Sequence, residues 1–127
     1  MSDVPEGLRY TKDHEWVKVE GDIAQIGITD HAQEELTDIV FVELPKKGKK
    51  VKKGDVLGVV ESVKTVSDIY SPVSGEVVDV NSPLDDAPGA INQEPYGKGW
   101  FAKVKISDAT ELGQLLDASA YKKAIEE

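Results

Sequence analysis

The sequence predicts a mainly β fold, a small barrel or sandwich with short helices at its ends and a helical C-terminus. Three observations predict it. Short runs rich in Val, Ile, Thr and aromatic residues recur from Trp16 to Ile106, and such residues favour a pleated, half-buried chain. Clusters of Gly, Asp, Asn, Ser and Pro separate the runs, and each cluster is a turn signal. Helical patterning is confined to a short segment near Asp30 and to the residues beyond Ser107. The 127 residues suffice for one compact domain, 1–127, with one core.

Taken in order, residues 1–13 read as an extended lead-in, because Pro5 and Gly7 discourage helix. Residues 16–19 and 23–26 flank Glu20-Gly21-Asp22 and read as a hairpin turning near Gly21-Asp22. Asp30 as N-cap, with Gln33 three residues on, predicts a helix running to about Leu36. Residues 39–44 read as a buried strand stopped by Pro45. Residues 46–53 hold six lysines in eight positions. That run reads as a solvated loop, the alternative being a patch for phosphate or an acidic partner. Residues 56–60 and 65–70 are strands, with Glu61-Ser62-Val63-Lys64 as the tip between them, and residues 76–80 form another strand. Residues 81–92 read as loop with at most a helical turn. From Trp100 to Ile106 the pattern has period two, with Trp100, Ala102, Val104 and Ile106 on one face. Asp108-Ala109-Thr110-Glu111 resembles a capping box opening a helix with Leu112, Leu115 and Leu116 on one side. A last short helix over 118–125 turns Tyr121 and Ile125 inward.

Composition excludes several function classes. The chain has no cysteine, so it has no disulfide, thiolate zinc site or cysteine nucleophile. Sulfur redox chemistry would have to come from an attached group. A net charge of −9 argues against nucleic acid, whose phosphates would be repelled. It serves solubility or steering towards basic docking surfaces. No apolar run approaches the length of a membrane helix. The opening MSDVPEGLRY has neither a signal-peptide nor a transit-peptide pattern, which reads as a cytoplasmic prokaryotic protein or a processed mitochondrial-matrix form. His14 and His31 are far apart in sequence, and no Ser-His-Asp, HExxH or phosphate-cradling glycine pattern occurs. The chain therefore reads as no enzyme acting alone.

The stretch from Gly54 to Gly75 organises the rest. Turn signals at Gly54-Asp55 and Ser74-Gly75 stand at nearly equal distances on either side of Lys64. Lys64 thus sits near the centre of a strand–turn–strand unit with Val63 and Val66 beside it. A lysine there either protects a sheet from edge-to-edge association or is presented for modification. The string ESVKTVSDIYSPVSGEVVDVN, from Glu61, resembles the lipoyl-attachment segment of the glycine cleavage system H proteins. HEWVKVEGDIAQIGITDHAQEELTDIVFVELP (14–45) and INQEPYGKGW (91–100) resemble further signature segments of that family. The resemblance covers nearly the whole chain.

The resemblance implies a barrel-sandwich hybrid of the lipoyl/biotinyl type and a lipoyl carrier of the glycine cleavage system. Lipoate would be bound covalently to Lys64 as N6-lipoyllysine. The arm would accept an aminomethyl unit from glycine on glycine decarboxylase (the P protein) and present it to the aminomethyltransferase (the T protein). Dihydrolipoyl dehydrogenase (the L protein) would reoxidise it, and a lipoate ligase or lipoyl/octanoyl transferase would attach it. Biotin carriers share the fold, but they usually place Met on both sides of the lysine, where this chain has Val63 and Thr65. A lipoyl relay that donates its group to other complexes is a second alternative. Glu61 and Asp68, three residues before Lys64 and four after it, are candidates for recognition by the modifying enzyme. Glu15 and Asp68 are candidates for the walls of a cleft that shelters the loaded arm. His14-Glu15 either faces that arm or is a surface pair beside the Trp16 strand.

Overall fold

A computed structural model describes residues 2–126. Nine strands, among the described residues, form two sheets. The larger sheet has the order β1 (Arg9–Tyr10), β2 (Glu15–Glu20), β3 (Ile23–Ile28), β9 (Ala102–Ile106), β8 (Gly75–Val80), β5 (Lys50–Val51). The smaller sheet has the order β4 (Ile39–Glu43), β6 (Val56–Ser62), β7 (Val66–Tyr70). Every pairing is antiparallel. The helices are short: α1 (Asp30–Leu36), α2 (Ala90–Gln93) and α3 (Ala118–Glu126), with 3₁₀ turns at Ser82–Asp85 and Ala109–Gln114. None is long and apolar enough to cross a membrane.

Alternation of side chains explains how two small sheets share one core. Val17, Ala24, Ile26 and Val104 of the larger sheet bury against Val42, Val60 and Ile69 of the smaller one. The β2–β3 hairpin turns at Gly21, whose φ of 62° is free for glycine. Gly27 pairs with Trp16, and a Cβ on it would stand 2.7 Å from the Trp16 ring. The indole therefore lies on bare backbone. A second cluster, Val4, Tyr10, Trp16, Ala118 and Tyr121, closes the end of the larger sheet. There α3 docks, and the Tyr10 and Tyr121 rings stack at 4.6 Å. Leu116 and Tyr10 exchange both backbone hydrogen bonds, each 2.8 Å.

Several local expectations are corrected. The lead-in contains β1, and the lysine run contains β5. The N-cap of α1 is Thr29, one residue earlier than expected. Its hydroxyl accepts from the Ala32 N–H, while Gln33 bonds Asp30. β4 is buried on one face only, with Val40 and Phe41 more than half exposed. β9 begins at Ala102 and Phe101 is buried, because strand pairing starts only beyond the Trp100 corner. The segment after Asp108 is a 3₁₀ turn. Glu111 does not cap it; its carboxylate instead accepts from the Ser74 N–H and hydroxyl at 2.7 and 2.8 Å. Asp108 does cap, accepting from the Thr110 N–H.

Candidate functional site

β6 and β7 form the hairpin that carries Lys64. Its base is tied at the first turn signal, where Gly54 N–H donates to Ser71 O and Ser71 N–H to Asp55 O, both 2.8 Å, and Lys53 N–H reaches the Ser74 hydroxyl of the second at 2.9 Å. Its tip is narrower than expected. Glu61 and Ser62 still belong to β6, and the turn is Val63-Lys64-Thr65. Ser62 closes that turn. Its N–H donates to Thr65 O at 2.8 Å, and its hydroxyl oxygen accepts from the N–H groups of Lys64 and Thr65 at 3.3 and 3.1 Å. This is local side-chain capping by a serine that is 8% exposed.

The turn is also held from outside. Val63 N–H donates to Asp38 O at 3.0 Å, in the link between α1 and β4. Asn92 clamps that link, accepting from Ile39 N–H at 2.8 Å and donating to Thr37 O and Gln33 Oε1 at 2.8 and 3.0 Å. Thr37 needs a clamp: its φ is 65°, a conformation that a β-branched residue adopts only when its surroundings impose it. Ser62 and Asn92 were missed from sequence. Ser62 read as part of the tip, and Asn92 acts on backbone more than fifty residues away.

The Lys64 side chain projects from this fixed backbone into solvent. Among the described residues its Nζ has no hydrogen bond or ion pair. Val63 and Val66 beside it are 66% and 59% exposed. An unpaired primary amine on a fixed backbone, with apolar surface around it, fits a covalently attached acyl arm.

The ladder pairs Glu61 with Val66 and Asp68 with Val59. Glu61 and Asp68 are therefore diagonal neighbours on one outward face of the hairpin. Asp68 is exposed and Glu61 half-buried.

Glu15 is only 2% exposed. It starts β2 and reaches across to the free edge of β7, where its carboxylate accepts from the Tyr70 N–H at 3.2 Å and from the Thr11 hydroxyl at 2.6 Å. Burial pushes its pKa up from 4.5 to about 7, against the lowering effect of those two bonds. It lines a cleft of about 330 Å³ between Thr11, Tyr70, Pro72 and Leu115. Tyr70 is two residues beyond Asp68 on the same strand, so both acids border the β7 edge. His14 turns the other way, its Nδ1 2.8 Å from the Tyr121 hydroxyl, and burial lowers its pKa. His14 and His31, distant in sequence, have ring centroids 4.8 Å apart.

The family model described as glycine cleavage H-protein matches residues 8–127. The chain belongs to the glycine cleavage H-protein family. The glycine cleavage system H protein of Xanthobacter autotrophicus is 60% identical over 115 residues, covering 91% of this chain and 92% of that one. That of Symbiobacterium thermophilum is 55% identical over 121 residues, covering 95% and 94%. The crystal structure of a glycine cleavage system H protein from Mycobacterium marinum superposes with a TM-score of 0.89 at 42% identity, covering 98% of this chain and 100% of that one. Membership makes the chain a carrier component rather than a catalyst.

Proposed function

We propose that the chain, working as one domain, carries lipoate on Lys64 in the cytoplasm and serves the glycine cleavage reactions. The free Lys64 amine at a hydrogen-bonded turn carries the proposal, and membership in the H-protein family supports it. When bound as an amide, the dithiolane supplies the carriage of a one-carbon amine unit and its own disulfide–dithiol redox change. Every other contribution belongs to the chain's residues. The Ser62 turn fixes where the arm starts, so that each partner meets it at a high effective concentration. The partners are glycine decarboxylase, the aminomethyltransferase and dihydrolipoyl dehydrogenase. A lipoate ligase or lipoyl/octanoyl transferase attaches the arm, and we assign its recognition to the shared face of Glu61 and Asp68.

Glu15 and Asp68 shelter the loaded arm. β7 spans roughly 13 Å at about 3.3 Å per residue, and a lipoyl-lysine arm extends roughly a dozen ångströms beyond the backbone. Laid back along the strand from Lys64, the arm reaches about the level of Asp68, four residues on, with Tyr70 two residues farther. An ammonium at its end meets Asp68 in solvent, with the Glu15 carboxylate beyond it in the cleft beside Tyr70. A charge-assisted hydrogen bond of about 1.5–3 kcal/mol favours that docked position by roughly tenfold or more and still permits release.

Intact mass and peptide mapping of protein from its native host test the attachment. The lipoyl mass is expected on Lys64 alone and absent from Lys64→Arg, whose guanidinium stays protonated and is a poor nucleophile. Acyl mass persisting in Lys64→Arg would sink the assignment. In the same assay Glu61→Ala and Asp68→Ala are expected to slow modification without shifting the melting temperature. Modification of both variants at the wild-type rate would remove them from recognition.

A further inference from the structure

On the side of the molecule where β2 begins, His14 meets α1. His31 and Glu35 are four residues apart on α1, a spacing that puts both side chains on one helix face, and His31 Nε2 stands 2.9 Å from Glu35 Oε1. The His14 ring approaches the His31 ring to 4.8 Å between centroids. Ligand atoms of His14, His31 and Glu35 all lie within 4.8 Å of one another. Around zinc, with N and O ligands at about 2.0–2.1 Å, the edge of the coordination tetrahedron is about 3.3 Å. Small rotamer changes close the set, and the Glu35 and His31 side chains, 67% and 25% exposed, have room to make them and leave an entry path.

The third ligand is held more firmly. His14 has φ 71°, in a region where His is commoner than most residues but still unusual. Its N–H donates to Thr11 O and its carbonyl accepts from Thr29 N–H, at 3.2 and 3.0 Å. Its Nδ1 lies 2.8 Å from the Tyr121 hydroxyl, which is 2.8 Å from Thr29 Oγ1. Tyr121 is fully buried and stacked on Tyr10, so this partner is fixed. With Nδ1–H donating to Tyr121 and Tyr121 to Thr29, His14 Nε2 presents a lone pair. A metal-binding imidazole typically has its other ring nitrogen bonded and oriented in this way.

We propose that His14, His31 and Glu35 bind one divalent transition-metal cation of the zinc class, with water in the fourth position. Two imidazoles and one carboxylate select zinc over magnesium or calcium, which prefer all-oxygen shells. The net charge of −9 favours cation approach. The bound cation ties the start of β2 to α1. Because α1 leads into the Asp38 link that holds Val63, the cation also stiffens the support of the Lys64 turn.

The test titrates zinc chloride into the full, untagged, chelator-treated chain by calorimetry. The Lys64→Arg background is used so that no attached dithiol competes, which keeps the outcome independent of the carrier reading. One zinc per chain is expected, with magnesium chloride giving no saturable binding. His31→Gln and Glu35→Gln, both on the outer face of α1, are each expected to weaken binding tenfold or more. Tyr121→Phe, which removes only the orienting hydroxyl, is expected to weaken it at least tenfold. No saturable zinc binding, undiminished binding in the His31→Gln/Glu35→Gln double variant, or equal binding of magnesium would each overturn the site.

Discussion

Glu15 is the residue whose environment departs furthest from what its type prefers. A carboxylate rarely sits 2% exposed without a cation beside it. Here Thr11 and Tyr70 supply two hydrogen bonds and no positive charge, so its pKa rises to about 7. A carboxyl whose pKa rises on folding holds its proton more tightly in the folded chain. Its contribution to stability is therefore full below pH 4.5 and is lost as pH rises through about 7. The loss amounts to about 3 kcal/mol. Glu15→Gln cannot ionise; its one amide oxygen can accept from the Tyr70 N–H while its NH2 donates to the Thr11 hydroxyl oxygen. Urea unfolding is expected to show the variant gaining about 3 kcal/mol on the wild type between pH 4.5 and pH 8. A stability difference that stays constant over that interval would mean that Glu15 does not ionise at a cost. The same residue suits the proposed cationic ligand, since an ammonium in the cleft would draw the carboxyl into its charged form and offset the cost. The loaded arm is accordingly expected to lose its one-carbon unit to water faster in Glu15→Gln and Asp68→Asn than in the wild type. Equal rates in the three proteins would remove both acids from the shelter.

At the scale of elements, the Lys64 hairpin was legible because its signals are local. β-branched runs and two glycine-containing turns lie within one short stretch, and the structure brings those turns together at the hairpin base, where Lys53 N–H donates to the Ser74 hydroxyl. The β2–β3 hairpin, α1 and the inward Tyr121 of α3 were legible for the same reason. What supports the turn was not. Asn92 reaches Ile39, Thr37 and Gln33 from a segment that reads only as loop, and side-chain bonds to distant backbone leave no periodicity. Glu111 shows the converse failure, since a capping-box spacing was present but Ser74 claimed the carboxylate. Local propensity yields when a tertiary partner offers two hydrogen bonds. The Asn92 clamp has a measurable consequence. Asn92→Ala leaves the Ile39 N–H without its partner and Thr37 without support for its φ of 65°, at a cost of about 1–3 kcal/mol. Amide exchange at Ile39 and at Val63, whose partner is Asp38, is expected to accelerate well beyond that in β2 and β3. Uniform acceleration across the chain would show a general loss of stability and no specific hold on the turn.

At the scale of the whole molecule, the arrangement separates the turn proposed to carry the arm from the part that holds the fold. The Lys64 turn projects from the smaller sheet, the shared core lies between the two sheets, and the Tyr10–Tyr121 stack closes the far end of the larger one. The two histidines illustrate why such placement escapes sequence reading. Their proximity depends on β2 and α1 being brought together by Thr29, which bonds His14 through its backbone and Tyr121 through its side chain. For the turn proposed to be modified, the consequence runs in the opposite direction. Acylation replaces an exposed ammonium with an amide and removes one positive charge, without touching a buried group. The unmodified and lipoylated chains are therefore expected to share one fold. Amide exchange is expected to differ only within residues 58–70 and in the Asp38 link bonded to Val63. Hydrogen exchange read by mass spectrometry can compare the two forms directly. Altered protection in β3, β8 or β9 would mean that the arm reorganises the core, and the separation of carrier turn from scaffold would fail.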